Sequence, residues 1–163
     1  MLRFAFVLVL TALGLAPAAA QQPVKIGFIT TLSGPGGYLG QDIRDAFQLA
    51  IEAEGGKLGG VPVQLMIEDD GLKPGQAKQI AERLLKTYRV KLFTGVVFSN
   101  VAGAIVPDIV DNDAIFVSPN AGPSNLAGKE CHKNYFVMSW LTDTMQGSAG
   151  QNATALGYKK ALV

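Results

Sequence analysis

The 163-residue sequence is poor in the residues that most often carry chemistry, with one cysteine, Cys131, and one histidine, His132. A disulfide framework needs paired cysteines, and a metal site built on His and Cys needs several of them, so neither is expected within this chain. Cys131 reads as a buried thiol, with a partner beyond this sequence as the alternative. Its neighbour His132 does not complete a nucleophile, because adjacent residues in an extended segment point apart. Charge of one sign is missing as well. The 14 basic and 13 acidic residues give a net charge of +1. That balance offers no basic stripe for nucleic acid and no attraction to an anionic membrane surface.

Long apolar runs are also scarce. The N-terminal stretch "MLRFAFVLVLTALGLAPAAA" has one basic residue, Arg3, an apolar run from Phe4 to Leu15, and small residues Ala18 to Ala20 before Gln21. A run of about 12 residues is short of the ~20 that cross a bilayer as a helix. The layout is that of a secretory signal peptide over residues 1–20, cleaved after Ala20. No Cys follows it to take a lipid, and no later segment is apolar enough to span. The product is expected in the periplasm, exported and not membrane-embedded.

What is present alternates. Strand-like runs at 24–30, 61–68, 90–96 and 114–118 are separated by segments of helical period. Ile43, Phe47 and Ile51 mark a first helix, stopped by Gly55-Gly56. Ala77, Ile80, Ala81, Leu84 and Leu85 mark a second, opened by Pro74. Val101, Ala104, Ile105, Ile109 and Val110 mark a third, with Pro107 inside it predicting a bend or a late start. Residues 135–139 read as a fifth strand, and a further helix is expected over 142–156, capped by Thr142 or Asp143 and closed by Gly157. Strand and helix alternation with apolar strands predicts an α/β fold, a parallel sheet covered on both faces. The final "KKALV" looks like a strand cut off as it begins, which predicts a fragment of a longer protein.

In open parallel sheets, ligands bind beyond the carboxyl ends of the strands. Four segments fall there: 31–42, 69–74, 98–101 and 119–124, all rich in Gly, Ser, Asn or Asp. Two run straight into helix starts, where free N–H groups and the helix dipole favour an anion. Ser99 is either a cap of the third helix or a ligand contact. Asn120 and Ser124 either meet a ligand or stabilise a turn. Asp69 and Asp70 point opposite ways if the strand continues through them, leaving one solvated and the other free to cap a turn. "GPGGYLG" fails the dinucleotide fingerprint, because Leu39 stands where its third glycine is required. No G-x-S-x-G elbow is present, so no catalytic residue, cofactor or metal is assigned.

The stretch "VKIGFITTLSGPGGYLGQDIRDAFQLAIEAEGGKLGGVPVQLMIEDDGLKPGQA", with "FTGVVFSN" and "FVSPNAGPSNL" after it, resembles the type I periplasmic binding proteins of the leucine/isoleucine/valine class. The resemblance implies a Rossmann-like lobe of a two-lobed α/β receptor that closes on a solute and delivers it to an ABC importer. It divides this chain into an incomplete first lobe at 21–134, a crossover at 135–141 and the start of a second lobe at 142–163. The ligand positions it implies are Ser99, Asn120, Ala121 and Gly122, with an aromatic side chain packing on the ligand at the place of Leu39; their neighbours Asn100 and Tyr38 are further candidate ligand contacts. Relatives that bind amino acids carry Thr at the position of Gly122, so an aromatic or other carboxylate is an alternative to a branched-chain amino acid. Their disulfide joins the positions of Leu72 and Phe98, where an apolar contact is expected instead. The implied partners are a small-molecule solute and ABC permease subunits. A sensory module of the same fold, or an exported α/β enzyme, are the other readings.

Overall fold

A computed structural model describes residues 21–160 of the chain. The signal peptide expected over 1–20 and most of the final apolar run lie outside the described residues.

Six strands form one sheet in the order β2-β3-β1-β4-β5-β6. They are β1 (Val24–Thr30), β2 (Lys57–Leu58), β3 (Val61–Asp69), β4 (Leu92–Thr94), β5 (Ile115–Ser118) and β6 (Tyr135–Val137). All neighbours pair in parallel except β2, which runs antiparallel to β3 at the edge. The expected parallel sheet is therefore present, and residues 135–137 do join it as a strand. "KLGG", which the sequence suggests is an ordinary connection, instead turns tightly at Gly59-Gly60 and forms that edge hairpin. β4 is shorter than the apolar run 90–96 that predicts it. Val90 stays outside it, buried, with its N–H on the carbonyl of Leu84.

Among the described residues four helices connect these strands, α1 (Gly37–Ala53), α2 (Pro74–Lys86), α3 (Ser99–Asp111) and α4 (Ser124–Ala127), and a fifth, α5 (Thr142–Ala155), follows β6. Pro74 occupies the first turn of α2, where its missing N–H costs no helical bond. Pro107 lies inside α3, yet the helix starts on time at Ser99 and runs through to Asp111. Its neighbours Ile105, Val106 and Ile109 are buried, and their packing outweighs the bond that proline removes.

The core lies between the sheet and the α2–α3 pair. Ile29, Phe93 and Phe116 from the strands meet Ala77, Ala81 and Leu84 from α2 and Val101, Ile105 and Ile109 from α3. Side chains alternate across the strands, so β1 also presents Phe28 to the opposite face, where its ring lies 5.5 Å from that of Phe47 on α1. That face is thinner, with Ile43, Phe47 and Ile51 only half-buried. α5 buries none of its residues.

Two expectations about single residues change. Cys131 is exposed, because the loop after α4 carries it out beyond the core. Asp69 is half-buried and both carboxylates hold the turn. Asp70 is fully buried, since β3 ends at Asp69 and the turn that follows folds both carboxylates back onto the backbone.

Candidate functional site

The carboxyl ends of β1, β3, β4 and β5 all open on one rim, because parallel strands share a direction. Two adjacent clefts lie along it. The first, about 540 Å³, is lined by Val97, Phe98, Ser99, Asn100, Asn120 and Ala121 from the β4 and β5 ends, with Trp140, Thr142, Met145 and Gln146 from the crossover and α5. The second, about 470 Å³, is lined by residues 33–36, Tyr38, Leu39, Gly71, Leu72 and Phe98. Phe98 belongs to both and forms the partition between a polar compartment and an apolar one.

The polar compartment is built by backbone pairing between two loops. The Asn120 amide donates to the Val97 carbonyl at 2.7 Å, and Ala121 N–H reaches the Val96 carbonyl at 3.4 Å. The Ala121 carbonyl accepts from the Ser118 hydroxyl at 2.5 Å and the Tyr135 hydroxyl at 3.3 Å. Burial pushes the Tyr135 phenol up, against a smaller lowering by its hydrogen bond with Ser118, so it remains a donor at neutral pH. This loop is thus held from below.

Ser99 does not cap α3. Phe98 occupies the cap position with no side-chain bond, and the Ser99 hydroxyl instead lies 2.8 Å from the hydroxyl of Thr142. Thr142 and Asp143 likewise make no cap for α5, whose cap residue is Leu141. The backbone bonds of α3 begin with Val101 and Ala102 donating to the Phe98 carbonyl. The N–H groups of Ser99 and Asn100, in the first turn of a helix whose side-chain cap is missing, have no acceptor earlier in the helix. Ser99 and Asn100 both line this compartment.

Gly122 stands apart from the other expected ligand residues. Its carbonyl accepts Thr142 N–H at 2.8 Å, and the place a Cβ would occupy is filled by the Trp140 carbonyl oxygen. The segment between β6 and α5 therefore packs on Gly122 directly. A threonine there, which the resemblance implies for amino-acid binders, does not fit this backbone.

In the apolar compartment, Tyr38 and Leu39 are exposed on the first turn of α1. Leu72 and Phe98 converge on Gly36, where an added Cβ would stand 2.7 Å from the Phe98 ring and 3.8 Å from Leu72 Cδ1. The two positions expected to replace a disulfide thus line one apolar cleft. Sequence reasoning put the segments that carry Leu72 and Phe98 on the ligand side without naming either as a ligand residue, and it did not place Trp140, Thr142 or Gln146 at the cleft. The aromatic residue immediately before Ser99 was the available signal for Phe98. Nothing local marks the crossover residues.

A periplasmic binding protein model matches residues 23–163. The chain belongs to the periplasmic binding protein family. Among curated proteins it is 28% identical to Leu/Ile/Val-binding protein homolog 6 of Brucella abortus over 132 residues, 79% of this chain and 34% of that protein. Among solved structures it superposes on an ABC transporter solute-binding protein of R. palustris in complex with benzoate, with TM-score 0.77 and 26% identity, covering 83% of this chain and 38% of that one. An ABC transporter substrate-binding protein from Sphaerobacter thermophilus matches with TM-score 0.71 and 32% identity over 84% of this chain and 38% of its own. This periplasmic binding protein chain therefore spans little more than a third of the relatives it matches. The family and these relatives are solute-binding proteins. No described helix is long and apolar enough to cross a membrane, and no described group of acidic, His or Cys side chains is arranged to hold a metal.

Proposed function

We propose that this chain carries the first-lobe half of a solute cleft in an exported receptor that binds a small aromatic carboxylate and delivers it to an ABC importer. The carrying observation is the side-by-side pairing of the two compartments across Phe98. The polar one offers the Ser99 hydroxyl and the N–H groups at the start of α3, which suit a carboxylate through hydrogen bonding and the helix dipole. The apolar one offers Phe98, Leu72, Tyr38 and Leu39 to a ring. Ser99, Asn100, Asn120 and Ala121 then contact the carboxylate end, and Tyr38 and Leu39 the ring end. Gly122 acts by letting the crossover approach.

A branched-chain amino acid is the second reading, favoured by the likeness to the Leu/Ile/Val-binding homologue. Against it, a site built for an α-amine needs a fixed polar partner for it, and a side-chain hydroxyl at position 122 is excluded by the Trp140 carbonyl. The benzoate complex of the R. palustris relative supports the aromatic acid. The test is a thermal-shift screen of the complete protein that carries this sequence, against benzoates and branched-chain amino acids. Greater stabilisation by benzoates than by the amino acids is expected. The reverse pattern would sink the aromatic reading.

A further inference from the structure

Two carboxylates tie together the walls of the apolar compartment. Asp69 Oδ1 accepts the N–H of Leu32 at 2.8 Å and of Gly71 at 2.9 Å. Asp70 Oδ1 accepts the Thr31 hydroxyl at 2.6 Å and Leu72 N–H at 2.8 Å. Each aspartate therefore bridges the segment after β1 to the turn after β3. Asp70 does so from full burial, with its second oxygen unpartnered.

The turn they hold is strained. Gly71 has φ +56° and Leu72 has φ +60°. Glycine adopts that left-handed conformation freely, whereas a leucine pays for it in contact between its Cβ and the backbone. Core burial does not explain the leucine, because Leu72 is 42% exposed. Glycine or asparagine would make the same turn with less strain. What the leucine adds is its side chain in the cleft, reaching Gly36 beside the Phe98 ring. Strain that persists next to a cleft must be held by its surroundings, and here the holders are two hydrogen-bonding carboxyl groups.

Resting on the aromatic-carboxylate reading of the cleft, we infer that Asp69 and Asp70 are positioning residues that clamp Leu72 as a fixed wall and so set the preference of the cleft for a rigid ring over a flexible aliphatic side chain. A rigid ring gains contact only from a wall already in place. An aliphatic chain can repack when the wall moves, and loses less.

The test compares benzoate with L-leucine as probes, by calorimetry on the complete protein and its Leu72→Gly, Asp70→Ala and Asp70→Asn variants. Leu72→Gly removes the wall and the strain together while leaving the buried carboxylate in place, so its unliganded Tm is expected to be unchanged or higher. Its benzoate affinity is expected to fall about tenfold and its L-leucine affinity by less than about threefold. Asp70→Ala is expected to show the same selective loss, and Asp70→Asn, which keeps an oxygen acceptor, to recover most of it. Equal losses for the two probes, or no loss in Leu72→Gly, overturn the inference. If the unmutated protein binds neither probe, the receptor reading fails instead. Amide hydrogen exchange then judges the clamp, which is overturned if Asp70→Ala leaves protection at Gly71 and Leu72 unchanged.

Discussion

The hydroxyls of Ser99 and Thr142 lie 2.8 Å apart although 43 residues separate them in the chain. The contact joins the first turn of α3 to the first turn of α5. Thr142 is fixed a second time by its N–H on the Gly122 carbonyl. The polar compartment is thus closed on one side by a segment that the sequence places beyond the crossover.

Removing the Ser99 hydroxyl tests its part in holding a carboxylate. A hydrogen bond to a charged group contributes about 1.5–3 kcal/mol, so Ser99→Ala is expected to weaken benzoate binding roughly tenfold or more. Thr142→Val leaves Ser99 in place and is expected to weaken it less. Isothermal titration of both variants checks the order.

Trp140 is the single tryptophan of the sequence and lines the polar compartment while half exposed. Ligand entry changes its surroundings, so titration with benzoate is expected to change tryptophan emission. The expected result with Trp140→Phe is that this component of the signal disappears while binding by calorimetry persists.

Gly122→Thr brings a side chain into the Trp140 carbonyl. Displacing backbone that is also hydrogen-bonded through Thr142 is expected to cost about 1–3 kcal/mol, the usual penalty for overpacking. Thermal unfolding should show a lower Tm, and Gly122→Ala should lie on the same side, since the clash begins at Cβ.

Burial pushes the Asp69 carboxyl up, but hydrogen bonds from Ser33, from the N–H groups of Leu32 and Gly71, and from Ser33 N–H outweigh it and hold the group below its ordinary value. A folded-state pKa below the unfolded one adds stability above the unfolded value and loses it as pH falls through the folded value. The walls of the apolar compartment are therefore expected to hold at neutral and mildly acidic pH and to loosen only below about pH 4, the ordinary carboxylate range. Chemical denaturation across that range, on the unmutated protein and Asp69→Asn, checks this. The variant should show a weaker acid dependence.

The strands were legible because parallel, covered strands are written as apolar runs, and β1 and β3 begin where the runs begin. The helices were legible from their period, even α3, which starts at Ser99 with no delay and continues through Pro107. The rim followed from strand direction, which is how Ser99, Asn120 and Ala121 were found together. The two-residue strand β2 was not legible, since a pair such as Lys57-Leu58 has no period and is made a strand only by its partner.

By itself, then, the sequence determined the α/β order, the parallel sheet and the edge on which ligand-sized loops gather, because burial periodicity and strand direction are local or additive properties. Tertiary structure alone decided that Ser99 meets Thr142 rather than capping its helix, that Gly122 yields its space to Trp140, and that Asp70 is buried holding Leu72. These depend on which surfaces meet across tens of residues, and a polar side chain with several partners in reach takes the one that packing brings closest.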